Sequence, residues 1–225
     1  MNTQIKHFLD PKEFIETPFY GTINAHCLER KLEGDFQEIV DKLILEDDIT
    51  EVSIEKLNAL NLSELGNIAR NTIINDYNFL KDFGADPTIN LLKCYERDDT
   101  IEGMETDVYS YHVDASPVET QTFLCTYFGA ASDIIENEKA TQKIQIPEIR
   151  KKIFDLFDGP ENEFEEFLEE FHFHLHYKAD ENTNPTNLGI GNLWKLAVQH
   201  PNQKVSPCIH RAPFEENKLR LLIIC

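Results

Sequence analysis

Several things this chain lacks narrow what it can be. No stretch approaches the roughly 20 consecutive apolar residues that a membrane span requires. The first residues, "MNTQIKHFLDPKEF", hold no apolar core of the kind a secretion signal carries. There is no Cys-x-x-Cys pair, and the five cysteines (Cys27, Cys94, Cys125, Cys208 and Cys225) are odd in number and scattered. Reduced thiols and a cytoplasmic location are the expectation. Basic charge is scarce. Lys and Arg number 21 against 41 Asp and Glu, a formal net charge of −20. Such a balance repels phosphate backbones and anionic lipid surfaces, so neither nucleic acid nor a membrane is expected as a partner. No internal repeat or low-complexity tract is present.

What remains is the material of a folded domain. The chain has 225 residues, of which 41% are hydrophobic and 15 are Phe, enough to bury one sizeable core. The first part, 1–86, reads as mainly helical. "FQEIVDKLILE" (36–46) has apolar residues at helical spacing. "SIEKLNAL" (53–60) follows Ser53 as an N-cap, and "SELGNIARNTIINDYNFLKDFG" (63–84) runs from Ser63 to a stop at Gly84. One extended piece is expected near 20–32.

The pattern changes at Pro87. "TINLLKCYER" (88–97), "DVYSYHVDA" (107–115) and "TQTFLCTYFGA" (120–130) read as strands. A helical insertion is expected at about 131–170, with Pro147 starting one helix and Gly159-Pro160 separating it from the next. Strand character returns in "FHFHLHYKA" (171–179), "NLWKLAVQH" (192–200), "SPCIHRAP" (206–213) and "LRLLIIC" (219–225). The fold class is therefore α+β. Seven or so strands with short turns predict a jelly roll or small barrel over 87–225, with helices packed outside it.

Three groups of residues could carry chemistry. In "SYHVDASP" (110–117), His112 and Asp114 stand two apart in an extended run, so both point to one face. Downstream, His210 lies in a short strand and Arg220 begins an apolar one. The polar segment "APFEENK" between them predicts a hairpin. Two imidazoles and one carboxylate on one side of a metal leave three positions open, which suits non-haem Fe(II). A buried Arg one strand away could hold the far carboxylate of a dicarboxylic co-substrate. The same residues also read as a hydrogen-bonded core histidine, a turn aspartate and half of an ion pair. The second group is "FHFHLH". If that segment is a strand, His172, His174 and His176 share one face. With His200 downstream they resemble the zinc site of α-carbonic anhydrases, a zinc hydratase alternative, and His176 could instead line the first site. The third, "NLGIGNLWK" (187–195), is a turn into a strand, with Trp194 in the core or a cavity wall.

The order His-x-Asp, distal His, then Arg ten residues on resembles the Fe(II)/2-oxoglutarate-dependent dioxygenases, over about residues 88–225. That resemblance implies a double-stranded β-helix and Fe(II) held by His112, Asp114 and His210. It implies 2-oxoglutarate bound through Arg220, with Tyr127 or Thr126 offering it a polar group. The substrate would be a small molecule or a protein side chain. The alternative from another class is a non-enzymatic, cupin-like metal- or ligand-binding protein.

Overall fold

Local capping chemistry places the helices. The computed structural model describes residues 2–98, 100–214 and 218–225. Helices α1 (Pro11–Glu16), α2 (Phe36–Lys42), α3 (Ile54–Ala59) and α4 (Glu64–Phe83) come from the first part of the chain. Each begins where a side-chain oxygen accepts an orphan N–H of the first turn: Asp10, Asp35, Ser53 and Ser63 in turn. α4 ends at Gly84, whose φ of 97° is the left-handed cap that glycine adopts without a Cβ penalty. α5 (Pro147–Leu156) and α6 (Phe164–Glu170) form the insertion.

The strands are β1 (Ile5–Phe8), β2 (Ala25–Leu28), β3 (Ile49–Glu51), β4 (Thr88–Leu92), β5 (Tyr111–His112), β6 (Gln121–Phe128) and β7 (Asp133–Ile134). They continue with β8 (Ala140–Gln142), β9 (His176–Ala179), β10 (Thr186–Asn187), β11 (Leu193–Ala197), β12 (His210–Arg211) and β13 (Arg220–Ile224). They form a seven-stranded sheet, β1-β2-β11-β6-β13-β4-β3, and a six-stranded one, β10-β7-β12-β5-β9-β8.

The pairings nest. β4 pairs with β13, β5 with β12, β6 with β11 and β7 with β10, all antiparallel. In chain order the first of these eight strands meets the last, the second meets the seventh, and so inward. The nested pairs alternate between the two sheets. Contacts of β13 with β6 and β12 with β7 join neighbouring pairs within each sheet.

Alternation along each strand divides the core. On one face of the large sheet, Leu91, Phe123, Cys125, Tyr127, Leu221 and Ile223 pack under Phe14, Ile39, Ile73 and Leu80 of the helices. On the other face, Leu92, Leu124, Trp194 and Leu222 meet Ile134 of the small sheet and Cys208 of the segment leading into β12. The second face is the interior between the sheets.

Three expectations change. The first part of the chain is not only helical, because β1, β2 and β3 extend the large sheet. The segment 131–170 opens with two short strands, β7 and β8, before its helices. "FHFHLH" is not a strand. His172 has a φ of 58°, Phe173–Leu175 form a 3-10 turn, and only His176 enters β9. The reason lies in the two apolar residues. Phe173 packs back onto the α5–α6 cluster and Leu175 onto the outer side of the small sheet, so the chain must turn between them.

Candidate metal centre

β5 and β12 are neighbours in the small sheet, and His112 and His210 are direct cross-strand partners. They therefore point to the same face. That face also carries Ile134, which belongs to the interior cluster. The imidazole centroids lie 4.5 Å apart. Asp114, two residues beyond His112, turns its carboxylate between them. Its oxygens are 3.9 Å from His112 Nε2 and 3.7 Å from His210 Nε2. One donor atom from each of the three residues falls within 4.8 Å of the other two, the one such group among the described residues. Ligands at roughly 2.0–2.2 Å around one ion stand about 3–3.6 Å apart, so small side-chain adjustments close the set on a metal.

The surroundings prepare these atoms as ligands. His112 Nδ1 donates to the Ser110 carbonyl at 2.8 Å, and His210 Nδ1 to the Cys208 carbonyl at 3.2 Å. Each bond fixes the tautomer that leaves the Nε2 lone pair facing Asp114. Burial, reinforced by the neighbouring His210, pushes His112 down to about 4, so its ring is neutral at ordinary pH. Burial alone would raise the Asp114 carboxyl. His210, the hydroxyl of Thr122 and His112 outweigh that and hold it below the usual carboxylate range. Thr122 donates directly to Asp114 Oδ2 from β6, across the interior. Two imidazoles and a carboxylate, each oriented by a second hydrogen bond, fit a divalent first-row ion.

A cavity of about 360 Å³ opens beside His112 and Asp114, walled by Thr106, Asp107, His172 and His176. His176 is the cross-strand partner of His112 on β9, with ring centroids 5.8 Å apart. Its Nδ1 is buried without a hydrogen-bond partner, and burial lowers its pKa to about 3.

The co-substrate residues separate. Arg220 opens β13 opposite Leu92 and is 5% exposed. Alternation puts it on the interior face with Leu222 and Leu92. The expected hairpin with His210 does not form, since β12 lies in the small sheet and β13 in the large one; residues 215–217 of the connection lie outside the described residues. Thr126 is on the interior face, in step with Thr122 and Leu124. Tyr127 is on the opposite face. Its hydroxyl donates to Asp76 of α4 at 2.6 Å, its ring stacks on Phe36, and Arg30 completes the group by pairing with Asp76. It therefore points away from the triad. His172 and His174 do not assemble with His200 either. His174 Nδ1 faces the Leu168 carbonyl, and His200 sits in a loop against Gln203 and Asn202.

Sequence reasoning missed Thr122. Its signal was position: it shares the face of Thr126 on the strand that follows His-x-Asp. No family model matches the chain, and no significant match appears among curated proteins or solved structures. No helix of the described residues is long and apolar enough to cross a membrane.

Proposed function

We propose that the chain is an Fe(II)- and 2-oxoglutarate-dependent dioxygenase built on a double-stranded β-helix. The observation that carries the reading is the convergence of His112 and His210, on the second and seventh strands of the nested set, with Asp114 just beyond the second. The nested antiparallel pairing of eight strands across two sheets supports the jelly-roll part of this reading. Fe(II) held by the triad would supply oxidation of an unactivated C–H bond by O₂, one oxygen atom going to the substrate and the other to succinate as 2-oxoglutarate loses CO₂.

The protein's own groups have defined tasks in this reading. His112 and His210 donate Nε2, and Asp114 donates a carboxylate oxygen while Thr122 holds the other. That ligand set would leave room on the ion for co-substrate and O₂. Arg220 holds the far carboxylate of 2-oxoglutarate. It enters the interior beside Gly129, the residue after β6 and seven positions on from Thr122. Its side chain must therefore run back along the strand towards Thr126 to reach a ligand held at the triad. The cavity beside His112 receives the substrate.

Titration calorimetry with Mn(II) in place of Fe(II) tests the assignment. Wild type binds the metal and then 2-oxoglutarate. His210→Ala loses the metal. Arg220→Ala keeps the metal and binds 2-oxoglutarate more weakly by about 2–4 kcal/mol, the scale for removing one member of a desolvated charge pair. Metal binding without 2-oxoglutarate binding in wild type would replace this reading by the cupin-like one.

A further inference from the structure

We propose that the substrate is a cationic polypeptide segment with an apolar anchor, held by the α5–α6 insertion and presented to the cavity beside His112. This rests on the dioxygenase reading and names its substrate.

Three features support it. The first is charge. From Ile153 to Tyr177 there are eight acidic residues and no Lys or Arg. Asp155 pairs with Lys151 and Glu165 with Arg150. Asp158, Glu161, Glu163, Glu166, Glu169 and Glu170 are exposed and have no ion-pair partner among the described residues. Six uncompensated carboxylates on one short segment lower the local cost of bringing a cation in and raise its encounter rate.

The second is an apolar face between those carboxylates. Phe154, Leu156 and Phe171 are 41%, 64% and 52% exposed. A groove of about 490 Å³ lies against Phe154 and Phe164; Glu161 and Glu165 line it, as do Arg150 and Lys151, whose charges are paired with Glu165 and Asp155. From it, ring contacts run unbroken: Phe154 to Phe164, Phe164 to Phe167, and Phe167 to Phe171. Large apolar side chains left exposed in one place mark interaction surfaces. A small amine would use the charge but not this face.

The third is continuity with the metal centre. Phe171 is followed by His172, which lines the cavity. Met104 packs in one cluster with Phe164 and Phe173, and the same loop supplies Thr106 and Asp107 to the cavity wall. No Lys or Arg lines the cavity. His176, 5% exposed, forms part of its wall.

The test is fluorescence anisotropy on the full-length, metal-free chain, so that it stands apart from iron and 2-oxoglutarate binding. The probe is a labelled Lys/Leu peptide of helical period, with its Glu/Leu counterpart as comparison. Wild type should bind the Lys/Leu peptide only. Glu166→Lys with Glu169→Lys and Glu170→Lys should weaken binding by at least about tenfold, and Phe171→Ser by about tenfold. Asp41→Lys with Asp47→Lys and Glu51→Lys makes the same change in net charge elsewhere on the surface and should alter binding less than about twofold. Equal losses from the two triple variants would reduce the effect to net charge and overturn the proposal. So would an unchanged Phe171→Ser, a wild type that binds neither peptide, or complete displacement of the peptide by an equal concentration of spermidine.

Discussion

Replacing Tyr127 by Phe separates a structural hydroxyl from a co-substrate ligand. The Tyr127 hydroxyl donates to Asp76 at 2.6 Å, and both residues are buried, at 2% and 6% exposure. Asp76 keeps its pairing with Arg30 in the variant but loses one donor. A hydrogen bond to a charged group contributes about 1.5–3 kcal/mol. The ring itself remains stacked on Phe36, so no cavity term is added. For a chain of this length each kcal/mol lowers Tm by about 2–4 °C, which places the loss at about 3–12 °C. Calorimetric melting of the metal-free protein measures it. Mn(II) and 2-oxoglutarate affinities should stay at the wild-type values, because this hydroxyl lies on the helix side of the large sheet. An unchanged Tm together with a tenfold loss of 2-oxoglutarate affinity would refute the placement of Tyr127. As a calibration of the same group, Asp76→Ala strands the Arg30 guanidinium and should cost about 3–5 kcal/mol.

Thr122→Val removes the hydroxyl that orients Asp114 while keeping its volume. It should weaken Mn(II) binding by about 10–100-fold, the usual effect of losing an outer partner of a metal ligand, and an unchanged affinity in a metal titration would show that Asp114 needs no such support. Stability of the metal-free chain should fall as the pH is lowered from about 6.5 towards 4. His26, His112 and His176 have folded-state pKa values lowered to about 3, 4 and 3, with burial the largest cause in each. Below 6.5 the unfolded chain binds protons that the folded chain refuses, so their contribution is complete above that pH and is lost below it. Denaturant titrations across this window should report an uptake of up to three protons on unfolding, reduced by about one in His26→Phe; a flat profile between pH 6.5 and 5 would contradict the buried, neutral state of these rings.

The helices were legible because their signals are local. Ser53, Ser63 and Gly84 cap in the structure as their positions predict, and Pro147 opens α5. The longer strands were legible for the same reason: β6 and β13 carry apolar residues to both faces, and both are buried on both sides. The short ones were not. β7 and β10 have two residues each, too few for any period to register. They are strands because the sheet edge beside β12 leaves backbone groups to be paired, which is a property of the assembled fold. "FHFHLH" failed in the opposite way. Its alternation is perfect over six residues, yet Phe173 and Leu175 belong to different apolar clusters, and burying both outweighs the local pattern.

The triad and Arg220 show how far spacing along the chain can stand in for position in space. His112 and Asp114 share a face because they are two apart, and that inference is geometric. The meeting of His210 with His112 is different, since 98 residues of chain separate them and only the nesting of β5 with β12 makes them cross-strand partners. The order of elements in the sequence contains that nesting, but no single motif does. Arg220 was expected beside His210 through a hairpin, because a polar turn joins two short apolar runs. In the structure the connection crosses from one sheet to the other instead. The interval of ten residues therefore measures the crossing between sheets, not the distance to a paired neighbour. A turn that closes a hairpin would put Arg220 on the small sheet, level with His210. A crossing puts it on the facing sheet, where its side chain enters the interior from the opposite wall. The proposed function, with one ligand spanning from the triad on one wall to the guanidinium on the other, is compatible only with the second arrangement.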